Sequence, residues 1–208
     1  MSISLAKQIV SNLVLALQVF IVWLLIFQDS MVVPVFLKSV GRLHPMMLHL
    51  PIGLIIVTAI FVFFEKPLQL SSTILKPFLF HLTALTTSLT VVMGLFLSME
   101  GGYESDTLLL HKWMGVLLSF VFSLMLLPLR IVAIKTMLAI SVLVVVLAGH
   151  YGATLTHGED FVSGPLFPEE KITRTITDST SFFTAAIEPV LEAKCFGCHN
   201  EKKSKGRL

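Results

Sequence analysis

The stretch that decides the fold is IVSNLVLALQVFIVWLLIF, Ile9–Phe27, a run without a single charged side chain. About 20 such residues are needed for an α-helix to cross the hydrocarbon core of a bilayer. Lys7 gives the run a basic start, as in a signal peptide, but the apolar part is too long and no small-residue cleavage motif follows it. We therefore interpret Ile9–Phe27 as an uncleaved membrane anchor.

Four further apolar runs of similar length follow, near Met46–Phe64, Phe78–Met99, Leu108–Leu127 and Ile131–His150. The 208 residues are 55% hydrophobic and 13% charged, which excludes an ordinary soluble domain. A formal net charge of +2 does not indicate a nucleic-acid partner. The sequence predicts an all-α integral membrane protein with five transmembrane helices, one anchor helix plus a four-helix core.

The distribution of basic residues predicts how these helices are oriented. If the amino terminus is cytoplasmic, the cytoplasmic loops contain Lys66, Lys76 and Arg130. The loop Glu100–Asp106 then lies outside and is acidic, although Lys38 and Arg42 in the other outside loop depart from the pattern. We expect a multi-pass protein of the bacterial inner membrane, with its carboxyl terminus in the periplasm.

The two cysteines of the chain stand in Cys195-Phe196-Gly197-Cys198-His199, the C-x-x-C-H signature of covalent haem attachment. Cys195 and Cys198 would form thioethers with the haem vinyl groups, and His199 would ligate the iron as the metal-binding residue. A zinc site would need a second ligand pair, a thioredoxin-like site a βαβ setting, and a structural disulfide leaves His199 unexplained. The motif predicts haem c, which is attached on the outer side of the membrane, in agreement with the predicted orientation.

The predicted domains are residues 1–40 (anchor helix and outside loop), 41–160 (four-helix membrane domain), 161–182 (periplasmic linker) and 183–208 (start of a cytochrome c domain). A short helix from about Pro189 to Lys194 would lead into the haem motif, with the proline in its first turn. Nine residues follow His199, and none is Met or His. We therefore expect the natural protein to continue beyond Leu208.

Histidines inside a membrane are costly and call for a physical reason. With five crossings, His49, His111 and His150 all fall in the outer leaflet, and Gly53 and Gly115 follow two of them by four residues. Paired histidines on facing helices can hold a haem b in a membrane bundle. Three alternatives stay open for this set: haem b, a metal or quinone-binding site, and structural polar packing.

The remaining polar positions carry smaller predictions. His44, His157, Glu159 and Asp160, placed at or outside the interface, would form either a metal or proton-handling cluster or a set of capping and loop contacts. His81 is expected to hydrogen bond to a neighbouring helix. The third crossing has a stripe of small residues, which predicts close packing against another helix: Thr86, Thr90, Gly94 and Ser98. Gly149 and Gly152 would end the last crossing or admit a bulky group.

Several of these segments resemble a known pairing of domains. The matching stretches are Arg42–Gly53, Gly101–Tyr103, Leu110–Gly115 and Gly149–Asp160, which resemble the membrane domain of unknown function 2231, and Ile187–Leu208, which resembles the planctomycete-type cytochrome c domain. The resemblance implies a respiratory-type inner-membrane protein. His81 matches no motif of the family, and Gly152-Ala153 stands where the family often has two glycines.

Electron transport is the function that these observations predict. The tethered haem would pass electrons at the periplasmic face, with a second haem or a quinol site in the membrane core. The expected partners are membrane lipid, a redox partner protein or quinol, and other subunits of a larger membrane complex. An alternative is a quinol-oxidising enzyme subunit. Another is an anchor, assembly or sensory subunit whose haem lies outside any catalytic electron-transfer chain.

Overall fold

A computed structural model describes residues 3–65, 73–103, 105–158, 161, 164, 166, 181–196, 199–200 and 203–204. Within these residues the α-helices are α1 Ile3–Phe27, α2 Val35–Gly41, α3 His44–Met47, α4 His49–Phe64, α5 Leu75–Ser98, α6 Ser105–Leu124, α7 Ile131–His157 and α8 Glu188–Lys194. A 3-10 turn follows α1 at Gln28–Ser30, and a π-helical turn, Phe183–Ile187, precedes α8. Two two-residue strands pair antiparallel, β1 His199–Asn200 with β2 Lys203–Ser204. The predicted helical architecture is confirmed.

Four helical segments are long and apolar enough to cross a membrane: Leu5–Ser30, Leu75–Ser98, Asp106–Leu124 and Ile131–His157. A fifth crossing exists if Val35–Met47 and His49–Phe64, which meet at a bend of 40°, form one broken span. These helices indicate a membrane protein. Four predicted crossings are thus continuous helices, and the second is divided.

The division of the second crossing follows from two prolines. Pro45 stands in the first turn of α3, where its fixed φ suits the start of a helix. Pro51 lies one turn further on and has no N–H to offer the Met47 carbonyl, which its ring also crowds. The helix therefore breaks at Leu48 and restarts as α4, which has 16 residues.

The exposed and buried surfaces are reversed relative to those of a soluble protein. Leu15 and Val146 expose 65% and 64% of their surface, whereas Gln18 and Ser119 expose 6% and 0%. Exposed apolar side chains are unfavourable in water but not among lipid chains. Polar side chains must be buried here, because lipid chains cannot hydrogen bond to them. This arrangement is what a helical bundle needs when its solvent is the bilayer.

The chain divides into two compact units. The first comprises residues 1–101 and 110–148, and the second comprises 102–109 and 149–208. In the first unit α5 is the central helix, since it contacts α1, α2, α3 and α4. Buried apolar side chains of α5 take part in two clusters. One contains Phe80 of α5 and Phe122 of α6, and the other contains Leu95 of α5 and Ile21 of α1.

Two glycines bring the segment that contains α2 and α3 close to α5. A Cβ on Gly41 would lie 2.8 Å from the Leu97 backbone nitrogen, so the two backbones are nearly in contact. A Cβ on Gly94 would lie 2.9 Å from the His44 ring. The prediction that the small residues of the third crossing permit close packing is confirmed at Gly94.

The last crossing is longer than the sequence predicts. Of the two roles expected for Gly149 and Gly152, that of ending the crossing is wrong, because α7 continues through both to His157. A glycine inside a helix costs only about 1 kcal/mol relative to alanine, which does not stop a helix by itself. Gly158 ends it instead, with φ of +96° and an N–H that donates to the Thr154 carbonyl at 2.9 Å.

An ion pair joins the two loops at one end of the first unit. The Arg42 guanidinium donates to both carboxylate oxygens of Glu100, at 3.2 and 2.8 Å. These hydrogen bonds hold the pKa of Glu100 below its ordinary value. Arg42, which departs from the predicted charge pattern, is therefore neutralised by a residue of the acidic loop.

Candidate functional site

His44 lies at the start of α3, and its ring packs against α5. Its Nδ1 donates to the Thr90 carbonyl at 2.9 Å, beside Gly94. The sequence predicts His44 at or outside the membrane interface. The ring instead contacts α5 at Thr90, which lies about 12 Å along the helix from its last residue, Ser98. The ring reaches this position because Gly94 has no side chain to exclude it and Thr90 offers an acceptor.

His111 on α6 occupies the matching position opposite His44. Its Nδ1 donates to the Ala148 carbonyl of α7 at 2.9 Å. The centroids of the His44 and His111 rings are 6.1 Å apart, and the ring planes are nearly perpendicular, at 85°. Each ring is half-buried. The site therefore consists of two imidazoles, each bonded to a different helix through Nδ1.

The partners of the two Nδ1 atoms determine the state of both rings. A carbonyl oxygen only accepts, so each Nδ1 carries the hydrogen, and a neutral ring then has its lone pair on Nε2. No side chain or carbonyl within the described part of the chain hydrogen bonds to either Nε2. The pair thus presents two oriented nitrogen lone pairs, the arrangement by which second-shell carbonyls prepare histidines for a metal.

His49 is not the partner of His111. Its ring is exposed, and its Nδ1 faces the Met46 carbonyl at 3.3 Å. Five residues separate His44 from His49, which is about 140° around a helix, and the bend at Leu48 adds to the divergence. The two rings therefore cannot face α5 together, and it is the His44 ring that packs against α5 opposite His111.

The other predicted site residues belong to the second unit. His150 is exposed, with its ring 5.5 Å from the Tyr151 ring. His157 stacks on Phe161 at 4.0 Å and lies 2.7 Å from the Thr156 hydroxyl. Glu159 and Asp160 lie outside the described residues. Among the residues that are described, no group of three or more His, Cys, Asp or Glu side chains could hold a metal ion.

The predicted haem c motif follows α8 directly. Pro189 stands in the first turn of this helix, as the sequence predicts. The N–H of His199 donates to the Cys195 carbonyl at 2.9 Å, which holds the two ends of the motif close together. The Cys195 thiol is half-exposed and free. Cys198 lies outside the described residues.

The imidazole of His199 is chemically suited to bind a haem iron, and it differs from His44 and His111 in having no acceptor for Nδ1 in the described part of the chain. Its Nδ1 is buried without a hydrogen-bond partner among the described residues. None of those residues bonds to its Nε2 either, so this nitrogen is free to bind an iron. The residues present therefore fit a c-type haem held by Cys195 and His199.

The first unit also contains a buried polar cluster that the sequence did not predict. The Gln18 amide nitrogen of α1 lies 2.7–2.8 Å from three hydroxyl oxygens on α5 and α6: those of Ser88, Ser119 and Ser123. Ser119 also donates to Ser88 at 3.1 Å. The available signal was Gln18 itself, the one amide near the middle of an apolar run, since such a side chain needs polar partners from other helices.

His81 has the role that the sequence predicts. Its Nδ1 donates to the Pro77 carbonyl at 2.7 Å, one turn back on α5. Its Nε2 therefore accepts from the Ser11 hydroxyl of α1, at 3.1 Å. The prediction that His81 hydrogen bonds to a neighbouring helix is confirmed.

Comparisons with protein-family models, with curated proteins and with solved structures find no match. The resemblance to the membrane domain of unknown function 2231 and to the planctomycete-type cytochrome c domain therefore stays a prediction.

Proposed function

We propose that this protein is a membrane-tethered c-type cytochrome that passes electrons at the periplasmic face of the bacterial inner membrane. The observation that carries the proposal is the Cys195–His199 motif, with the free thiol of Cys195 and a histidine whose buried Nδ1 has no partner among the described residues. An apolar bundle that precedes this motif supports a cytochrome held at a membrane rather than a diffusible one.

Each residue of the motif has a distinct role in the proposal. Cys195 and Cys198 would hold the haem covalently, each thiol S–H adding across one vinyl group so that sulfur bonds to one carbon and the hydrogen to the other. His199 would bind the iron through Nε2. The haem would supply one-electron transfer. The chain fixes the haem near the membrane, where a quinol or a protein partner would reach it.

Covalent attachment tests the proposal. The full-length protein is expressed in a host that matures c-type cytochromes and is separated by denaturing electrophoresis, and the gel is stained for haem peroxidase activity. We expect a stained band for the wild type and none for the double variant Cys195→Ala/Cys198→Ala. Since maturation takes place outside the cytoplasm, a stained wild-type band also requires the predicted orientation of the carboxyl terminus.

Membrane insertion is the control for this experiment, because the double variant must still fractionate with the membrane in wild-type amounts. His199→Ala separates ligation from attachment: the band should persist, but the visible spectrum should lose its low-spin character. A wild-type protein without covalent haem would refute the proposal. An attached haem that neither ascorbate nor a short-chain quinol reduces would favour the sensory or assembly alternative.

A further inference from the structure

We propose that His44 and His111 are the two axial ligands of a non-covalent haem iron in the first unit. The inference rests on the geometry of this pair, and it rests on the proposed function only for its physiological role, the supply of electrons to the c-type haem. It replaces the broader expectation that His49, His111 and His150 share such a centre. The ligands are now a specific pair, one from α3 and one from α6.

The set of donor atoms favours haem iron over a bare metal ion. Imidazole suits iron, copper and zinc, and both rings present a neutral Nε2. A tetrahedral zinc ion would need additional ligands from the protein. The described residues contain no group of three metal-ligating side chains, so two histidines are what the site provides. Haem iron already has four porphyrin nitrogens and needs no more than two from the protein.

The separation of the two rings agrees with ligation of one iron from both sides. A metal–imidazole bond is about 2.0 Å long. A ring nitrogen lies about 1.1 Å from its ring centroid, since the ring bonds are about 1.35 Å long. Two imidazoles on opposite sides of one iron therefore have centroids about 6.2 Å apart. The His44 and His111 centroids are 6.1 Å apart.

A second polar group beside the site also has no partner. The Thr90 hydroxyl is buried and makes no hydrogen bond within the described residues, although the Thr90 carbonyl accepts from His44. A buried hydroxyl without a partner is unfavourable, and a polar group bound beside it would supply the missing hydrogen bond. On the His111 side, a Cβ on Gly115 would make only an ordinary van der Waals contact, with Val91 at 3.7 Å, so the glycine adds no close contact to the site.

The test uses the full-length double variant Cys195→Ala/Cys198→Ala, so that the c-type haem does not contribute to the spectrum. The protein is expressed with added haem precursor, purified in detergent and analysed for haem content and visible absorption. We expect about one non-covalent haem per chain. Because the ring planes are nearly perpendicular, the ferric form should give a strongly anisotropic low-spin electron paramagnetic resonance signal.

Three single variants in this background identify the ligands. His44→Ala and His111→Ala should each lower the haem content by more than about tenfold. His49→Ala, in which an exposed ring is lost, should retain it. A variant that simply misfolds is recognised by size-exclusion chromatography in detergent. For folded variants, added imidazole should restore the low-spin spectrum of His44→Ala by entering the space left by the ring.

The outcomes separate this inference from the proposed function. Failure of haem staining in the wild type refutes the c-type cytochrome but leaves this site untouched. Absence of haem from the double variant, or a metal ion without a Soret band, overturns the His44–His111 haem. So does a haem that survives in His44→Ala and His111→Ala but is lost in His49→Ala.

Discussion

Replacing Gly41 with alanine tests the close contact that places α2 and α3 against α5. The new methyl group would stand 2.8 Å from the Leu97 nitrogen and 3.1 Å from two atoms of Phe96. Both nearest atoms of α5 are backbone atoms, so neither can rotate away. The helices would have to separate by about 0.7 Å to restore an ordinary contact distance of about 3.5 Å.

The magnitude follows from two opposing effects. Inserting a methyl group into a close-packed contact costs about 1–3 kcal/mol. Alanine in place of glycine in a helix stabilises the folded protein by about 0.5–1 kcal/mol. Gly53→Ala on α4 is the matched control, since a Cβ there meets nothing within 4 Å and the variant keeps only the favourable effect. The difference between the two variants should therefore be about 1–3 kcal/mol, with Gly41→Ala the less stable.

Reversible unfolding in mixed micelles measures this difference. The fraction of SDS is raised, and helix content is followed by circular dichroism for the wild type, Gly41→Ala and Gly53→Ala. We expect the midpoint of Gly41→Ala to fall below that of the wild type, and that of Gly53→Ala to equal or exceed it. Equal midpoints for the two variants would show that α2 does not approach α5 as closely as the structure indicates.

Two further predictions concern the polar contacts of the first unit. Because the pKa of Glu100 is lowered in the folded protein, its ion pair with Arg42 stabilises fully above the ordinary value of 4.5 and is lost as the pH falls through the lowered value. Between pH 7 and pH 3 the free energy of unfolding should therefore fall more for the wild type than for Glu100→Gln, by no more than about 1 kcal/mol. Thermal unfolding at each pH measures this, and an equal fall for both proteins would contradict this role. Gln18→Leu should cost less than about 1 kcal/mol, because Ser88 and Ser123 already donate to backbone carbonyls. Gln18→Ala should cost about 1–3 kcal/mol more through the cavity that it leaves, so equal unfolding midpoints for the two variants would refute this account.

The sequence by itself determined the apolar helices and the motif near the carboxyl end. A bilayer requires about 20 apolar residues per crossing, so Ile9–Phe27 and the other long apolar runs predict helices without any knowledge of packing. Pro189 marks the start of α8 for an equally local reason, since its fixed φ suits a first helical turn. The C-x-x-C-H motif is likewise local, because the proposed haem attachment would depend on residues that are close together in the chain.

Only the tertiary structure decided which histidine lies opposite His111. The predicted topology placed His49 in the same leaflet as His111, but Pro51 breaks the second crossing, and the segment before the break turns a different face to α5. Gly94 then leaves room for the His44 ring, and the Thr90 carbonyl fixes its Nδ1. These contacts join residues about fifty positions apart. Periodicity within one helix carries no information about them, because they depend on how separate helices approach one another.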